Sequence, residues 1–386
     1  MGLNYFLTEE QQMLKELTQK IVNEKIKPVA REYDESGEFP REIIKELAKA
    51  DLFRIFVPEE YDGLGSKVLD LCIVVEELSK GCAGISASYA ACALGTIPII
   101  LFGSESQKKK YLPKIASGEY LVAFALTEPE AGSDASNIQT QAKKEGDFYI
   151  LNGTKHFITN GGEADIYVVI AMTDKTKGAR GASAFIVEKN TPGFSFGKKE
   201  EKMGIRASAT RELIFQDCKI PKENLLGREG LGFIITMKTF DYSRPGVGAQ
   251  AVGIAQGAFD IALEYAHKRI QFSKPISSFQ GIQWMLADMA TKIEAARSLV
   301  YNVARFIDSG AKNFTKEAAM AKYYASEVAM EVTTKCVQIL GGYGYMREYG
   351  VEKFMRDAKI TQIYEGTNQI QLNEIASGLI KELLKK

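Results

Sequence analysis

Val122-Ala123-Phe124-Ala125-Leu126-Thr127-Glu128-Pro129-Glu130-Ala131-Gly132-Ser133-Asp134 is the stretch at which the character of the chain changes. Its first five residues form a short apolar run of the kind that makes a buried strand. Thr127 ends the run, and Pro, Gly, Ser and Asp then build a turn. Such a turn exposes backbone N–H groups and hydroxyls, which suit an anionic or carbonyl-rich ligand. Taken alone, a plain solvent turn explains it better.

Upstream of Leu121 the pattern is helical. Thr8 with Gln11 has the form of a capping box, and Met13, Leu14, Leu17, Ile21 and Val22 follow at helical spacing until Pro28 interrupts. Further helices are expected through Ile43, Ile44 and Leu47, over Leu69–Leu78, over Ala87–Leu101, and from Ser104 with Gln107 three residues on. Downstream, strands are expected at Val122–Leu126, Phe148–Leu151, Lys155–Thr159, Ile166–Met172, Ser183–Val187 and Glu212–Phe215. Asn152-Gly153 between two of them is a hairpin signal. From about Gly232 helical periodicity returns, with small residues dense over Ala249–Ala262. The expected domains are an all-α unit over 1–121, a β unit over 122–232 and a helical bundle over 233–386.

The 386 residues are 45% apolar and 25% charged, which excludes a disordered or fibrous chain. Lys plus Arg and Asp plus Glu both number 49, so there is no basic excess for nucleic acid and no polybasic segment for a lipid surface. Five cysteines without a CxxC pair and only two histidines argue for reduced thiols and against a metal centre. Met1-Gly2-Leu3-Asn4-Tyr5-Phe6 lacks the basic start and apolar stretch of a leader, and Phe6 stands where myristoylation wants Ser or Thr. The longest apolar run, Leu94–Phe102, is broken by Gly95 and Pro98 and falls short of a membrane span. A cytoplasmic protein without stable membrane insertion is expected.

Gly246-Val247-Gly248-Ala249-Gln250-Ala251 matches GxGxxA, but a dinucleotide fingerprint needs a preceding strand. Phe233–Phe240 reads as helix, so these glycines are expected to serve packing. Walker A, HExxH and GxSxG patterns are absent from the sequence. Lys155-His156-Phe157-Ile158-Thr159-Asn160-Gly161 ends a strand in an aromatic and a hydroxyl. Near the C-terminus, the stretch from Ala358 to Gln371 sets Glu365 beside Gly366 among apolar and neutral residues. A carboxylate in such surroundings gains proton affinity, which suits a base for a carbon acid. In isolation, a surface Glu closing a helix before a Gly is the commoner explanation.

In combination these strings resemble the acyl-CoA dehydrogenase family over essentially the whole chain. The resemblance rests on Thr127-Glu128-Pro129 with Gly132-Ser133-Asp134, Phe157-Ile158-Thr159-Asn160, Lys268-Arg269-Ile270-Gln271-Phe272, Phe279-Gln280, Gln338-Ile339-Leu340-Gly341-Gly342-Tyr343-Gly344 and Tyr364-Glu365-Gly366-Thr367. Among subfamilies the chain looks most like the bacterial short-chain, butyryl-CoA-type enzymes. The resemblance implies an α+β fold of N-terminal helical domain, β-barrel-like middle domain and C-terminal four-helix bundle. It also implies FAD as cofactor, an acyl-CoA substrate, a homotetramer, electron-transferring flavoprotein as partner, and a place in fatty-acid β-oxidation.

Carried over residue by residue, Glu365 would be the base, and its own backbone N–H would help hold the thioester oxygen. Phe124, Leu126, Thr127, Gly132 and Ser133 would line the flavin and pyrophosphate, with Phe157, Ile158 and Thr159 on its other side. Arg269, Phe272 and Gln280 would reach the FAD of a neighbouring subunit. Gln338, Leu340, Gly341, Gly342, Thr367 and Gln369 would complete the adenosine end. Ser133, Asp241, Arg244, Tyr364 and Gly366 would meet the acyl-CoA.

Several departures bear on this. Some relatives have Trp where Phe157 stands. Relatives of the isovaleryl type place the base two residues after the aspartate matching Asp241, and that position is Ser243 here. Ile85 falls where glutaryl-CoA enzymes hold an Arg for the distal carboxylate, so a dicarboxylyl substrate is disfavoured. Ser273 replaces a common Gly, and Pro245 follows Arg244. The rival readings are an enoyl-CoA reductase in an electron-bifurcating complex, an acyl-CoA oxidase, and a catalytically silent flavin- or CoA-binding protein.

Overall fold

A computed structural model describes residues 5–65 and 67–385. The part of the leader reading that rests on Met1 to Asn4 falls outside them.

Six helices open the chain: α1 (Glu9–Ile21), α2 (Ala30–Ser36), α3 (Arg41–Lys49), α4 (Val68–Gly81), α5 (Ala83–Phe102) and α6 (Glu105–Ala116). Thr8 with Gln11 and Ser104 with Gln107 form complete capping boxes, so orphan N–H groups at both helix starts are met by side chains. Helix α5 begins four residues before its expected start and runs through Pro98. Its length and composition reach those of a membrane span, which corrects the shorter sequence estimate, and 67% of that stretch is buried in the fold. It packs on α4, on the long helix that follows the β domain, and on the first strand.

The middle segment is one eight-stranded sheet of β1 (Val122–Ala125), β2 (Gln141–Glu145), β3 (Phe148–Thr159), β4 (Ile166–Met172), β5 (Ala182–Glu188), β6 (Phe194–Lys199), β7 (Thr210–Pro221) and β8 (Leu225–Leu226). The order is β6-β7-β3-β2-β4-β5-β8, with β1 parallel to β4. Tyr167 of β4 nevertheless meets Phe194 of β6 at 4.9 Å, and Tyr149 of β3 meets Phe185 of β5 at 4.9 Å. Strands apart in the sheet therefore face one another across an aromatic core, as in a barrel-like closure.

The hairpin expected at Asn152-Gly153 does not form. β3 runs straight through it, with a bulge between Leu151 and Gly153 against β7. Asn152 hydrogen-bonds Asp217 with its side chain, and Gly153 has φ 146° with Thr140 so close that a Cβ would lie 2.6 Å from it. The dipeptide is a bulge signal as much as a turn signal. The actual hairpin turns at Gly146 (φ 60°) between β2 and β3. β2, β6 and β8 have no counterpart among the expected strands; β2 carries Lys143, Lys144 and Glu145 and buries only Ala142.

The C-terminal part is α7 (Gly232–Lys268), a small hairpin of β9 (Ile270–Gln271) and β10 (Lys274–Pro275), then α8 (Gln280–Asp308), α9 (Thr315–Leu340), α10 (Val351–Thr361) and α11 (Asn368–Leu383). Helices α7, α8 and α9 pack together, with α10 against α7 and α9 and α11 against α9. The GxGxxA string lies inside α7 with no strand before it, so it is no dinucleotide fingerprint. Gly248 serves packing, as expected, whereas Gly246 has nothing within 4 Å of a Cβ and, with Val247 and Gln250, lines a cavity, which corrects the packing expectation there. A Cβ on Gly248 would approach Val300 to 2.8 Å, and one on Gly253 would approach the Glu76 carbonyl to 2.2 Å.

Candidate active site

The ends of β1 and β3, helices α4, α5 and α7, and the loop between α10 and α11 enclose a cavity of about 440 Å³. Glu365 stands in that loop. α10 stops at Thr361, the chain turns through Gln362 and Ile363, and the Thr367 hydroxyl caps α11 by accepting from the Ile370 amide at 3.3 Å. Glu365 (φ 51°) and Gly366 (φ 88°) are both left-handed, and Gln371 Nε2 donates to their carbonyls at 3.1 and 3.0 Å. A left-handed non-Gly residue costs of order 1–3 kcal/mol and persists only where its surroundings over-determine it. Among the described residues, no acceptor meets the Glu365 amide N–H.

The Ser243 hydroxyl donates to Glu365 Oε2. Burial raises the proton affinity of the Glu365 carboxyl above the ordinary carboxylate range, while the Ser243 bond and the charges of Lys322 and Arg244 act against that rise. The position where some relatives hold their base thus supplies a hydrogen bond to the acid on the other element. Tyr364, Glu365 and Gly366 all line the cavity with Arg244. Asp241 does not. Its carboxylate is buried, accepting from Thr315 Oγ1 at 2.7 Å and from Arg244 Nη1 at 3.2 Å. It fixes Arg244 rather than facing the cavity. Pro245 lies within α7 immediately after Arg244 and removes one backbone donor from the helix.

Phe124, Leu126, Thr127, Gly132 and Ser133, from the end of β1 and its turn, line the same cavity. This turn is no loose solvent loop. Beneath it the buried Lys155 amine pairs with Glu128 at 2.7 Å and donates to the Leu126 carbonyl at 2.9 Å. Glu128 also accepts from the Thr140 amide at 3.0 Å. Burial lowers the Lys155 amine to about 8, with Glu128 opposing the fall. Glu128 stands in one quoted motif and Lys155 in another, and their pairing has no sequence signal because β3 and the turn meet only in three dimensions. Ile158 and Thr159 line the same cavity. The bulge between Lys155 and Ile158 leaves Phe157 (φ 58°) lining the cavity beside them, 58% exposed and stacked on His156 at 4.0 Å.

The remaining cofactor candidates lie elsewhere in the chain. Arg269, Leu340, Gly341 and Gly342 line a second cavity of about 520 Å³, where the Arg269 guanidinium sits 5.2 Å from the Tyr343 ring centroid. The two linings share no residue. Phe272 projects from the β9–β10 turn, 88% exposed, and Ser273 beside it has φ 61°, a conformation that explains a Gly there in relatives. Gln280, Gln338 and Gln369 are exposed, and Thr367 is the cap of α11.

These residues fit FAD. Gly132, Gly341 and Gly342 border open space in which a Cβ would meet nothing within 4 Å. Phe157 offers a ring face, Thr127, Ser133 and Thr159 offer hydroxyls, and Arg269 offers a bidentate donor of the kind that binds phosphate. Among the described residues, no cluster of His, Cys, Asp or Glu is arranged for a metal ion, and all five cysteines are free and buried. Ile85 is fully buried in the core and does not line the cavity, which corrects its placement at the substrate. The α5 residues that do line it include Ala87, Ala90, Ala91, Leu94 and Ile97, and the one lysine or arginine among the described lining residues is Arg244.

The three-part fold, with a half-buried carboxylate on its cavity and residues that fit FAD, is that of an FAD-dependent oxidoreductase acting on a CH–CH bond. Models of the N-terminal, middle and C-terminal domains of acyl-CoA dehydrogenases match residues 8–119, 123–218 and 230–380. The chain belongs to the acyl-CoA dehydrogenase family. It superposes on butyryl-CoA dehydrogenase of Megasphaera elsdenii with a TM-score of 0.95 at 51% identity, covering 98% of this chain and 100% of that one. A chain from the structure of the electron-transferring flavoprotein of Acidaminococcus fermentans, solved towards a mechanism of flavin-based electron bifurcation, gives a TM-score of 0.95 at 53% identity, covering 98% and 99%. Acryloyl-CoA reductase (NADH) of Anaerotignum propionicum is 49% identical over 381 residues, 98% of this chain and 96% of that protein.

Proposed function

We propose that this chain oxidises a short or compact acyl-CoA thioester to the 2-enoyl-CoA, with Glu365 taking the α proton. The observation that carries the reading is the placement of Glu365, a half-buried carboxylate that lines the same cavity as the Phe124-to-Ser133 turn and whose proton affinity burial raises. An α C–H is a very weak acid, so the site must supply both a base and a donor for the charge that develops on the thioester oxygen. Glu365 supplies the carboxylate, and its unpartnered amide N–H is available as the donor. Bound FAD would supply the hydride acceptor for the β carbon. Arg244, fixed by Asp241, presents a positive charge to the CoA portion, and the apolar residues of α5 exclude water and charged acyl ends.

The two separate groups of cofactor residues support a homotetramer in which Arg269, Phe272 and Gln280 serve the FAD of a neighbouring subunit. Electron-transferring flavoprotein is the proposed electron acceptor, and five buried reduced thiols support a cytoplasmic setting. Likeness to an acryloyl-CoA reductase and to a chain studied for electron bifurcation favours a second reading, the reverse reaction on an enoyl-CoA. The purified yellow protein is mixed anaerobically with propionyl-, butyryl-, isobutyryl-, hexanoyl-, cyclic and aromatic acyl-CoAs, and flavin bleaching is followed. The short straight or branched chains are expected to bleach it fastest. No bleaching by any of them would sink the reading. Re-oxidation of chemically reduced flavin by an enoyl-CoA faster than forward bleaching would favour the second.

A further inference from the structure

Lys322 of α9 is fully buried. Other buried cations of this fold pair directly with carboxylates: Lys155 with Glu128, Lys353 with Asp357, Arg297 with Glu76. Lys322 does not. Its Nζ donates to the Gly366 carbonyl at 2.9 Å and to Asn368 Oδ1 at 2.8 Å, two neutral oxygens that flank the Glu365 turn. Asn368 is in turn held by Ser326 Oγ at 2.9 Å and Glu327 Oε1 at 2.6 Å. The Gly366 carbonyl therefore has two donors, Lys322 from α9 and Gln371 from α11, and the left-handed turn is clamped from both helices. A buried ammonium on neutral partners is costly unless a charge lies near.

On the reading of Glu365 as the base, we propose that Lys322 is a positioning residue for it: it pins the Gly366 carbonyl so that the strained turn presents the Glu365 carboxylate to the cavity, and its charge favours the ionised carboxylate. The charged groups facing Lys322 are Glu365 from the loop, Arg244 from α7 and Glu327 on its own helix. Burial lowers the Lys322 amine to about 7, with Glu365 and Glu327 opposing and Arg244 adding to the fall. In the acid range, where Glu365 must lose its proton, Lys322 is thus charged and helps it to do so. A lysine that only fills space between helices has no such effect on the pH profile.

The test uses the FAD-loaded enzyme, anaerobic bleaching by butyryl-CoA across pH, KM, flavin content and melting temperature. Lys322→Met is expected to lower the bleaching rate about 10–100-fold, as a displaced catalytic group does, with KM changed less than about threefold and flavin retained. Its acid limb is expected to move to higher pH. Lys322→Arg, which keeps the charge, is expected to restore the limb even where the rate stays low. If the Met variant does not fold, Lys322→Gln, which keeps a donor without the charge, is expected to show the same displaced limb. An acid limb unmoved in the Met or Gln variant, or a rate that falls only together with flavin content and melting temperature, overturns the proposal. Glu365→Gln run beside them separates the two ideas. If that variant bleaches normally the base assignment fails. If it does not bleach and the lysine variants keep the wild-type profile, only the role of Lys322 fails.

Discussion

Glu365 owes its chemistry to two neighbours as much as to its own position. Replacing it with Gln keeps the size and a hydrogen-bonding group beside Ser243 but removes the lone pair that takes the proton. Bleaching by the best acyl-CoA is expected to slow by about 10²–10⁴-fold or more, the usual cost of losing a positioned base. Flavin content should stay near that of the parent protein. Stopped-flow bleaching at the parent rate would rule Glu365 out as the base. Ser243 gives a second prediction, with a sign. Because burial raises the proton affinity of Glu365, its ionised fraction and the bleaching rate fall as pH drops through that raised value. The Ser243 hydroxyl stabilises the ionised form, so Ser243→Ala is expected to move the acid limb to higher pH. A limb that stays in place, or moves to lower pH, would contradict this. In the sequence, Ser243 was legible only as a position without an acid. Its bond to Glu365 joins residues 122 positions apart, and no local pattern records it.

Helices were far more legible than strands. Amphipathic spacing marks α1 and α3, and capping boxes mark α1 and α6, because a helix satisfies its own backbone and its signals are local. Strand β2 carries mostly polar residues, and the bulge in β3 depends on where Thr140 and β7 lie. The small residues of α7 are the element-scale feature with a clear energetic consequence. A Cβ on Gly253 would fall 2.2 Å from the Glu76 carbonyl, a backbone atom that cannot swing aside. Gly253→Ala is therefore expected to push α4 from α7 and destabilise the fold by about 1–3 kcal/mol, the usual cost of overpacking. Denaturant unfolding of the apo and FAD-loaded forms measures this. An unchanged midpoint would mean that the helices part without cost.

At the scale of the whole molecule, the candidate cofactor residues fall in separate places: some line one cavity, Arg269, Leu340, Gly341 and Gly342 line another that shares no residue with it, and Phe272, Gln280, Gln338, Thr367 and Gln369 line neither. Exposed apolar side chains at Phe272, Trp284, Leu383 and Leu384 lie on the C-terminal part of the chain. If one FAD draws on two subunits, its retention depends on assembly. Arg269→Ala removes a bidentate donor for a pyrophosphate and is expected to lower the flavin-to-protein ratio of the purified protein. Dilution of the parent protein should release FAD in step with dissociation, followed by sedimentation and flavin fluorescence. A constant ratio through dissociation would show that one chain holds FAD alone.

Read by itself, the sequence determined the order of helices, β domain and helices, that the GxGxxA string is no dinucleotide fingerprint, and the candidacy of Glu365. Each depends on local spacing, or on a set of short motifs recurring in one order along the chain. Tertiary structure alone decided that Asn152-Gly153 is a bulge, that Ile85 faces the core, and that Asp241 serves Arg244 rather than the cavity. It alone placed Ser243 on the carboxylate, Lys155 beneath the turn that follows β1 and Lys322 behind the Glu365 loop. Hydrogen bonds and burial between distant segments depend on where the helices and the sheet come to rest. Side-chain chemistry can be read from a string of residues, but the proton affinity of a carboxylate depends on what the fold brings to its side.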